Sequence, residues 1–383
     1  MKFLKKLLKW VAILFGLLII TLYVTDTDYL LKAVRTIYMK GHTTAYLEDY
    51  KHFDNESLDI GTPQPWPNHK DYNSVKETET LKNVNAQNGT IAYVIIKNDS
   101  IWFENYYDGF DEDSKSNSFS MAKSYVSALL GKAIMDGYIK NLDQPVCDFI
   151  PEFCEGDAAK MTVGDLSSMA SGTNWDERYY SPFSITTRAY FDDDLTKVMT
   201  GLKVVREPGT SYKYASGDTQ MLAIAIERAS GKKLYDYLTE SFWEPLGSEN
   251  QALWQVDSED HDLVKAYCCI ASNAKDFARM GKLYKDHGKW NGKQLLDSAF
   301  IAKSITPRFT ESPEYGYGWW LKTVGDKHFF MMRGHLGQYV IVEPNDNVII
   351  VRLGHSKGPG DAVASFTPDI SAYIDEAYKM LEQ

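Results

Sequence analysis

The chain has 383 residues, enough for one large domain or two smaller ones, with 44% hydrophobic and 24% charged content. A net charge of −11 and the lack of a basic stripe interleaved with aromatics argue against a nucleic-acid binder. The eight histidines and four cysteines show no H-E-x-x-H or C-x-x-C spacing, so neither a metal nor another cofactor is expected.

At the N-terminus, Lys2, Lys5, Lys6 and Lys9 precede an apolar run from Trp10 to Val24, and Asp26 and Asp28 follow it. Lysines ahead of such a run hold the N-terminus in the cytoplasm and send the remainder across the membrane. The run is short, but Leu7 and Leu8 extend it and Lys9 can snorkel. The sequence that follows offers a poor signal-peptidase site. Residues 1–25 therefore read as an uncleaved signal-anchor, with a cleaved signal as the alternative. Either way the body is expected outside the cytoplasm, in a periplasmic or extracytoplasmic space.

Residues 26–80 form a mixed, polar extension in which Pro63, Pro65 and Pro67 exclude regular structure locally. Two β-branched and aromatic runs, 90–96 and 101–106, flank the turn cluster 97–100 and predict a hairpin. Apolar periodicity predicts helices over 120–137, 218–231 and 273–286. A second hairpin pairs 338–342 with 348–351 across Pro344 and Asn347. A last helix begins at Pro368, capped by Thr367. Strands at both ends with helices between them imply an α+β fold: an antiparallel sheet flanked by helices, with a helical insertion near 160–290. Cys147 and Cys154 lie close enough in sequence for a loop disulfide, which the sequence leaves open. A bond between neighbouring Cys268 and Cys269 would be strained, so these two are expected to be buried thiols.

The motif S-x-x-K occurs at Ser120, Ser230 and Ser272. A serine and a lysine three apart share a helix face, so the amine can reach and deprotonate the hydroxyl. Ser230 lies where a helix ends at Gly231, and Ser272 reads as an N-cap. Ser120 opens a helix whose Met121, Val126, Leu129, Leu130 and Ile134 predict packing on most sides. A lysine in its first turn, Lys123, should be partly desolvated, which lowers the ammonium pKa toward usefulness as a base, with Ser120 at the positive end of the helix. The stretch 354–358 also matches G-x-S-x-G, but Gly358, Pro359 and Gly360 preclude the helix a nucleophile elbow enters, and no histidine follows His355.

Two later segments accompany Ser120: Tyr214-Ala-Ser216, and His335-Leu-Gly337. In this order, with the flanking 161–172 and 315–320 stretches, they resemble the three motifs of the serine β-lactamases and penicillin-binding proteins. The resemblance is strongest to the class C-like branch that includes esterases, D-amino-acid peptidases and 6-aminohexanoate-dimer hydrolases. It spans about residues 80–380 and implies a β-lactamase-like domain over 81–383. It further implies that Ser120 is acylated, that Lys123 and Tyr214 share the proton transfers, and that Ser216 hydrogen-bonds within their network. The N–H groups of Ser120 and Gln338 would form the oxyanion hole, and His335 and Gly337 would border the substrate.

Two departures from the penicillin-recognising pattern bear on substrate. His335 replaces a lysine and weakens any fixed charge for a substrate carboxylate. Ser216 replaces an asparagine and removes an amide. Both suit a small ester, amide or peptide-like substrate better than penicillin. The alternatives are a cell-wall D,D-peptidase or weak β-lactamase, and a non-catalytic binding protein on the same fold.

Overall fold

The computed structural model describes residues 1–360 and 366–383. Helices α1 (Lys2–Val24) and α2 (Tyr29–Thr36) lead to strand β1 (Asn55–Leu58) and helix α3 (Glu79–Gln87). The hairpin β2 (Thr90–Lys97) and β3 (Ser100–Tyr106) follows, then β4 (Ser116–Asn117) and α4 (Ala122–Met135). Next come α5 (Val163–Ser167), α6 (Ile185–Phe191), α7 (Leu195–Thr200), α8 (Ser216–Ser230) and α9 (Leu234–Leu238). Strands β5 (Ala252–Gln255) and β6 (Ile270–Ser272) precede α10 (Ala274–Lys285), the ribbon β7 (Lys289–Trp290) and β8 (Lys293–Gln294), and α11 (Ser298–Ser304). The chain closes with β9 (Trp320–Val324), β10 (Lys327–Gly334), β11 (Gln338–Glu343), β12 (Val348–Gly354) and α12 (Pro368–Leu381).

The α+β architecture is the expected one. Six antiparallel strands, in the order β3-β2-β12-β11-β10-β9, form the main sheet from both ends of the chain. Its central strands are apolar at both parities because both faces are covered. Val94, Ile96, Val340, Val342, Ile349 and Val351 join the larger core, which Phe277, Met280 and Leu283 of α10 share. Tyr93, Ile95, Tyr339, Ile341, Val348 and Ile350 face the other way, onto Leu81 of α3 and Ile370, Tyr373 and Ile374 of α12. The β2–β3 turn places Asn98 and Asp99 at φ 49° and 60°. Short polar side chains tolerate that left-handed backbone, which matches the twist of a tight hairpin.

A second sheet, β1-β5-β6-β4, joins the N-terminal extension to the segment ahead of Ser120. Ala33 of α2 and Ile37 just after it lie in the main core. Residues 26–80 are thus built into the body at both levels, by strand pairing and by burial. The 160–290 stretch carries α5–α9, but also β5 and β6, and its α10 packs on the main sheet.

Two local expectations are corrected. Ser272 ends β6, and Asn273 is the cap of α10, its side chain accepting from Asp276 N at 2.8 Å. Both cysteine pairs are bonded, Cys147 to Cys154 and Cys268 to Cys269, in place of the buried thiols expected at 268–269. Cys269 adopts a φ of 80°, a tight left-handed turn in which neighbouring sulfurs can meet.

Arg352 of β12 fastens the sheet to the β10–β11 turn. Its buried guanidinium donates to the carbonyls of Leu336 (3.0 Å), Gly337 (2.8 Å), Ser356 (2.8 Å) and Asn88 (2.7 Å) and to Thr90 Oγ1 (3.0 Å). Arg352→Met strands those carbonyls without donors, each costing about 1–3 kcal/mol. Urea unfolding should show a loss of at least about 3 kcal/mol; a loss under about 1 kcal/mol would contradict this role.

Candidate active site

Ser120 occupies a single 3₁₀ turn, Phe119–Met121, at the entrance to α4. Neighbouring segments hold this turn in place. Ser118 N donates to Ile270 O at 2.7 Å, and Ser118 Oγ accepts from Ile270 N at 3.1 Å. Phe119 N donates to Asn117 Oδ1 at 2.8 Å, and Asn117 Nδ2 donates to the buried Asp49 at 3.0 Å. Phe119 itself has a φ of 45°. A bulky residue in that region stores about 1–3 kcal/mol and persists only where the surroundings impose it.

Lys123 follows one turn later, and the helix carrying it is buried on nearly every side. Its side chain is 3% exposed. The amine donates to Tyr267 O at 2.8 Å and to Ser120 Oγ at 3.0 Å. Burial pulls its pKa down to about 8, with the negative charge of Glu177 opposing the shift. Roughly a tenth of such an amine is free base at pH 7.

Tyr214 lies just ahead of α8, buried against Trp320 (ring centroids 5.4 Å apart). Its ring faces the Lys123 amine at 5.1 Å, and Tyr214 shares the lining of one cleft with Ser120. Burial, then the charge of Glu177, push its pKa up; the Ser120 hydroxyl and Arg333 oppose that shift. Tyr214 is therefore a phenol at neutral pH, a proton carrier rather than a phenolate.

Sequence reasoning missed Glu177, which organises one wall of the site. Its Oε1 accepts from Ser216 N at 3.0 Å and from Ser216 Oγ; its Oε2 accepts from Trp175 Nε1 at 2.8 Å. Ser216 is thereby engaged at the first residue of α8, not in direct contact with the Ser120 hydroxyl. No local pattern marks Glu177, because its partners lie on α8 and across the 173–187 loop.

The third motif forms the turn between β10 and β11. Gly334 approaches the Ser120 segment so closely that a Cβ there would fall 2.3 Å from Ser118 O. Leu336 has a φ of 60°, and Gly337, at φ 82°, leaves room for the Arg352 guanidinium. His335 stands edge-on to Phe119 at 5.4 Å, and both its ring nitrogens are buried without a partner among the described residues. Burial first, and Lys357 second, lower its pKa to about 4, so it is neutral at pH 7. Gln338 is fully buried behind the turn, its side chain donating to His335 O (3.2 Å) and Gly354 O (2.7 Å).

Two cavities meet at Ser120. The larger, about 360 Å³, is lined by Ser216, Tyr179, Phe119, His335 and residues of α2 and α6. The smaller cleft, about 30 Å³, is lined by Tyr214, Trp320, Arg333, Gly334, His335 and Tyr339, among others. Gln338 lines neither. Trp175 and Trp319 are core residues, stacked near Tyr267 and Tyr284.

A Ser-Lys-Tyr cluster at the mouth of a buried helix, beside the turn of an antiparallel sheet flanked by helices, defines the serine β-lactamase-like superfamily. The Beta-lactamase family model matches residues 78–371, and the chain belongs to that family of hydrolases. It is 24% identical over 292 residues to the 6-aminohexanoate-dimer hydrolase of Paenarthrobacter ureafaciens, covering 70% of this chain and 74% of that one. It is also 24% identical over 319 residues to protein flp of Staphylococcus aureus (strain COL), covering 74% of this chain and 63% of flp. Among solved structures, a Bacillus anthracis protein described as a candidate 6-aminohexanoate-dimer hydrolase superposes with a TM-score of 0.70 at 20% identity. That alignment covers 92% of this chain and 93% of the other.

The reactivity of Ser120 toward a small fluorophosphonate is expected to rise with pH through an apparent pKa of about 8, close to tenfold (~10) between pH 6 and 7. Glu177→Gln removes the charge that supports the ammonium, so the midpoint should move to lower pH. A midpoint that stays in place or rises would exclude that coupling.

Proposed function

We propose that the protein is a serine hydrolase that acts through an acyl-enzyme on a small ester or amide, in the manner of the 6-aminohexanoate-dimer hydrolase and esterase branch. One observation carries the reading: an amine with a pKa of about 8 lies 3.0 Å from the Ser120 hydroxyl in a water-poor site. Lys123 as free base takes the Ser120 proton as Oγ attacks the carbonyl carbon. Tyr214, a phenol lining the same cleft as Ser120, passes a proton to the leaving group. The acyl-enzyme is then released by water, with the same two groups acting in reverse. The oxyanion donors in this reading are the Ser120 N–H and an N–H of the facing turn. That second donor is the N–H of Gln338, which opens β11 where the turn ends.

The neutral His335 argues for a substrate without a carboxylate at that position, and so against the D,D-peptidase and β-lactamase readings. Helix α1, apolar from Trp10 to Val24 and with no buried residue, supports a membrane anchor at residues 1–25. The extension 26–80 and a hydrolase domain over 81–383 would then stand in the extracytoplasmic space.

Turnover of p-nitrophenyl acetate should fall at least about a thousandfold in Ser120→Ala and in Lys123→Met. A fluorescent penicillin should leave Ser120 unlabelled over a period in which a fluorophosphonate saturates it. Prompt penicillin labelling would instead favour a D,D-peptidase, and a folded protein inert to fluorophosphonate would favour a non-catalytic binding protein.

A further inference from the structure

The two cavities that meet at Ser120 differ in chemistry. The small cleft holds Tyr214, the proton donor of the proposed reaction, beside Arg333 and Tyr339. The leaving group must lie where that proton is delivered, which puts it in this cleft. The acyl part of the substrate then extends the other way, into the 360 Å³ cavity. That cavity has the size of a small-molecule site, and its inner wall is hydrocarbon and aromatic: Leu30, Ala33, Ile37, Phe119, Tyr190 and Phe191. Among its polar groups, Ser216 is engaged with Glu177, while His335, its ring nitrogens buried without a partner among the described residues, lines the cavity together with Ser120.

The N-terminal extension supplies one side of this cavity. Leu30, Ala33 and Val34 project from α2, which begins only four residues after α1 ends at Val24, and Ile37 from just after it. Asp26, in that short connection, pairs with Lys197 at 2.9 Å and with Arg188 of α6, whose helix forms the opposite side. Lys32 on the outer face of α2 pairs with Asp193 at 2.5 Å, and Tyr29 donates to Pro182 O at 3.0 Å. The α1–α2 junction is therefore fastened to the cavity wall. At the rim, Val34, Tyr38, Tyr180 and Phe183 line the opening and are all exposed, Phe183 at 74% and Tyr180 at 71%. Large exposed apolar side chains gathered at one opening mark a site that meets an apolar ligand or a membrane surface.

We propose that the substrate is an amphiphile, an ester or amide of a linear aliphatic acyl chain, whose chain fills the α2–α6 cavity while its polar leaving group occupies the Tyr214 cleft. This rests on the hydrolase reading above. The bond that forms is Ser120 Oγ to the acyl carbon. The bond that breaks joins that carbon to the leaving oxygen or nitrogen, which departs with a proton from Tyr214, and the proton that Lys123 took from Ser120 replaces it. Water then cleaves the acyl-enzyme to release a fatty acid and restores Ser120. The rim residue Val34 lies on α2, the helix that follows α1 after a four-residue connection, so an amphiphile held in the same membrane is a source of substrate.

The test uses the full chain in phosphatidylcholine nanodiscs and p-nitrophenyl esters of two, four, eight and twelve carbons. Each methylene taken from water contributes up to about fourfold in kcat/KM, so octanoate is expected to exceed acetate by at least tenfold (~10). Ile37→Trp should cut the octanoate-to-acetate ratio about fivefold or more. Phe183→Asp, at the exposed rim, should lower the same ratio without burden on the core. Ser120-dependent acetate hydrolysis with no rise in rate with chain length overturns the proposal and leaves the hydrolase reading standing. A second readout is independent of turnover: a fluorescent fatty acid should bind Ser120→Ala, and Ile37→Trp should weaken that binding. Binding of the fatty acid without any ester turnover would sink the hydrolase reading and keep the acyl site; no binding overturns the acyl site. Release of fatty acid from lysophospholipid in the nanodisc identifies a membrane source, and activity confined to the soluble octanoate identifies a free one; either result supports the acyl site.

Discussion

Everything around Ser120 is arranged to keep one amine out of water without pairing it to a carboxylate. A buried ammonium is costly unless it is neutralised or paired, and a paired one is held charged. Lys123 avoids both outcomes. Its partners are a carbonyl and a hydroxyl, Tyr267 O and Ser120 Oγ, so it is stabilised by hydrogen bonds that survive loss of the proton. Glu177 is near enough to act on the amine through space, yet its own oxygens are occupied by Ser216 and Trp175. The result is a pKa of about 8, close to the working range of a base at neutral pH. That result requires α4 to be buried along its whole first turn and the 265–269 loop to present a carbonyl at the right place.

The same requirement explains where backbone strain collects. Phe119, Leu336 and Cys269 all take positive φ, and each lies next to a group that touches the Ser120 hydroxyl, its facing turn or the Lys123 amine. None would be stable alone. Phe119 is held by Asn117 and, through it, by Asp49; the turn at Leu336 is held by Arg352; the 268–269 turn is closed by its disulfide. The main sheet, apolar on both faces, supplies the rigid frame against which these strained turns are pressed.

This division explains what could be read from the sequence. The strands at 90–106 and 338–354 and the helix behind Ser120 follow from local pattern: period-two burial, turn residues and an apolar helix. Order along the chain was enough to single out Ser120, Lys123, Tyr214 and His335, and the fold brings all four to one place. Glu177 was invisible because its tie to Ser216, 39 residues further along the chain, exists only in the folded structure. Ser272 looked like a cap because serine before a helix usually is one, yet strand pairing with Ser116 claims it and Asn273 caps instead. The extension 26–80 read as mixed and polar. Its apolar residues, Leu30, Ala33 and Ile37 among them, are scattered between polar ones, and only the tertiary fold shows that they complete a core and a cavity wall.

The electrostatic character of the finished site follows from these parts taken together. A lysine at the third motif would place a permanent cation beside Ser120; His335, pressed against Phe119 and shielded from water, is neutral instead. A fixed cation there would also lower the pKa of the Lys123 amine further, since like charges disfavour one another's ionised forms. A neutral imidazole leaves the Lys123 amine tuned by burial and Glu177, and the cations beside Ser120 are then Arg333 and Lys357 of the smaller cleft. What remains to recognise substrate on the other side is apolar surface, and the α2–α6 cavity is where this chain has placed it.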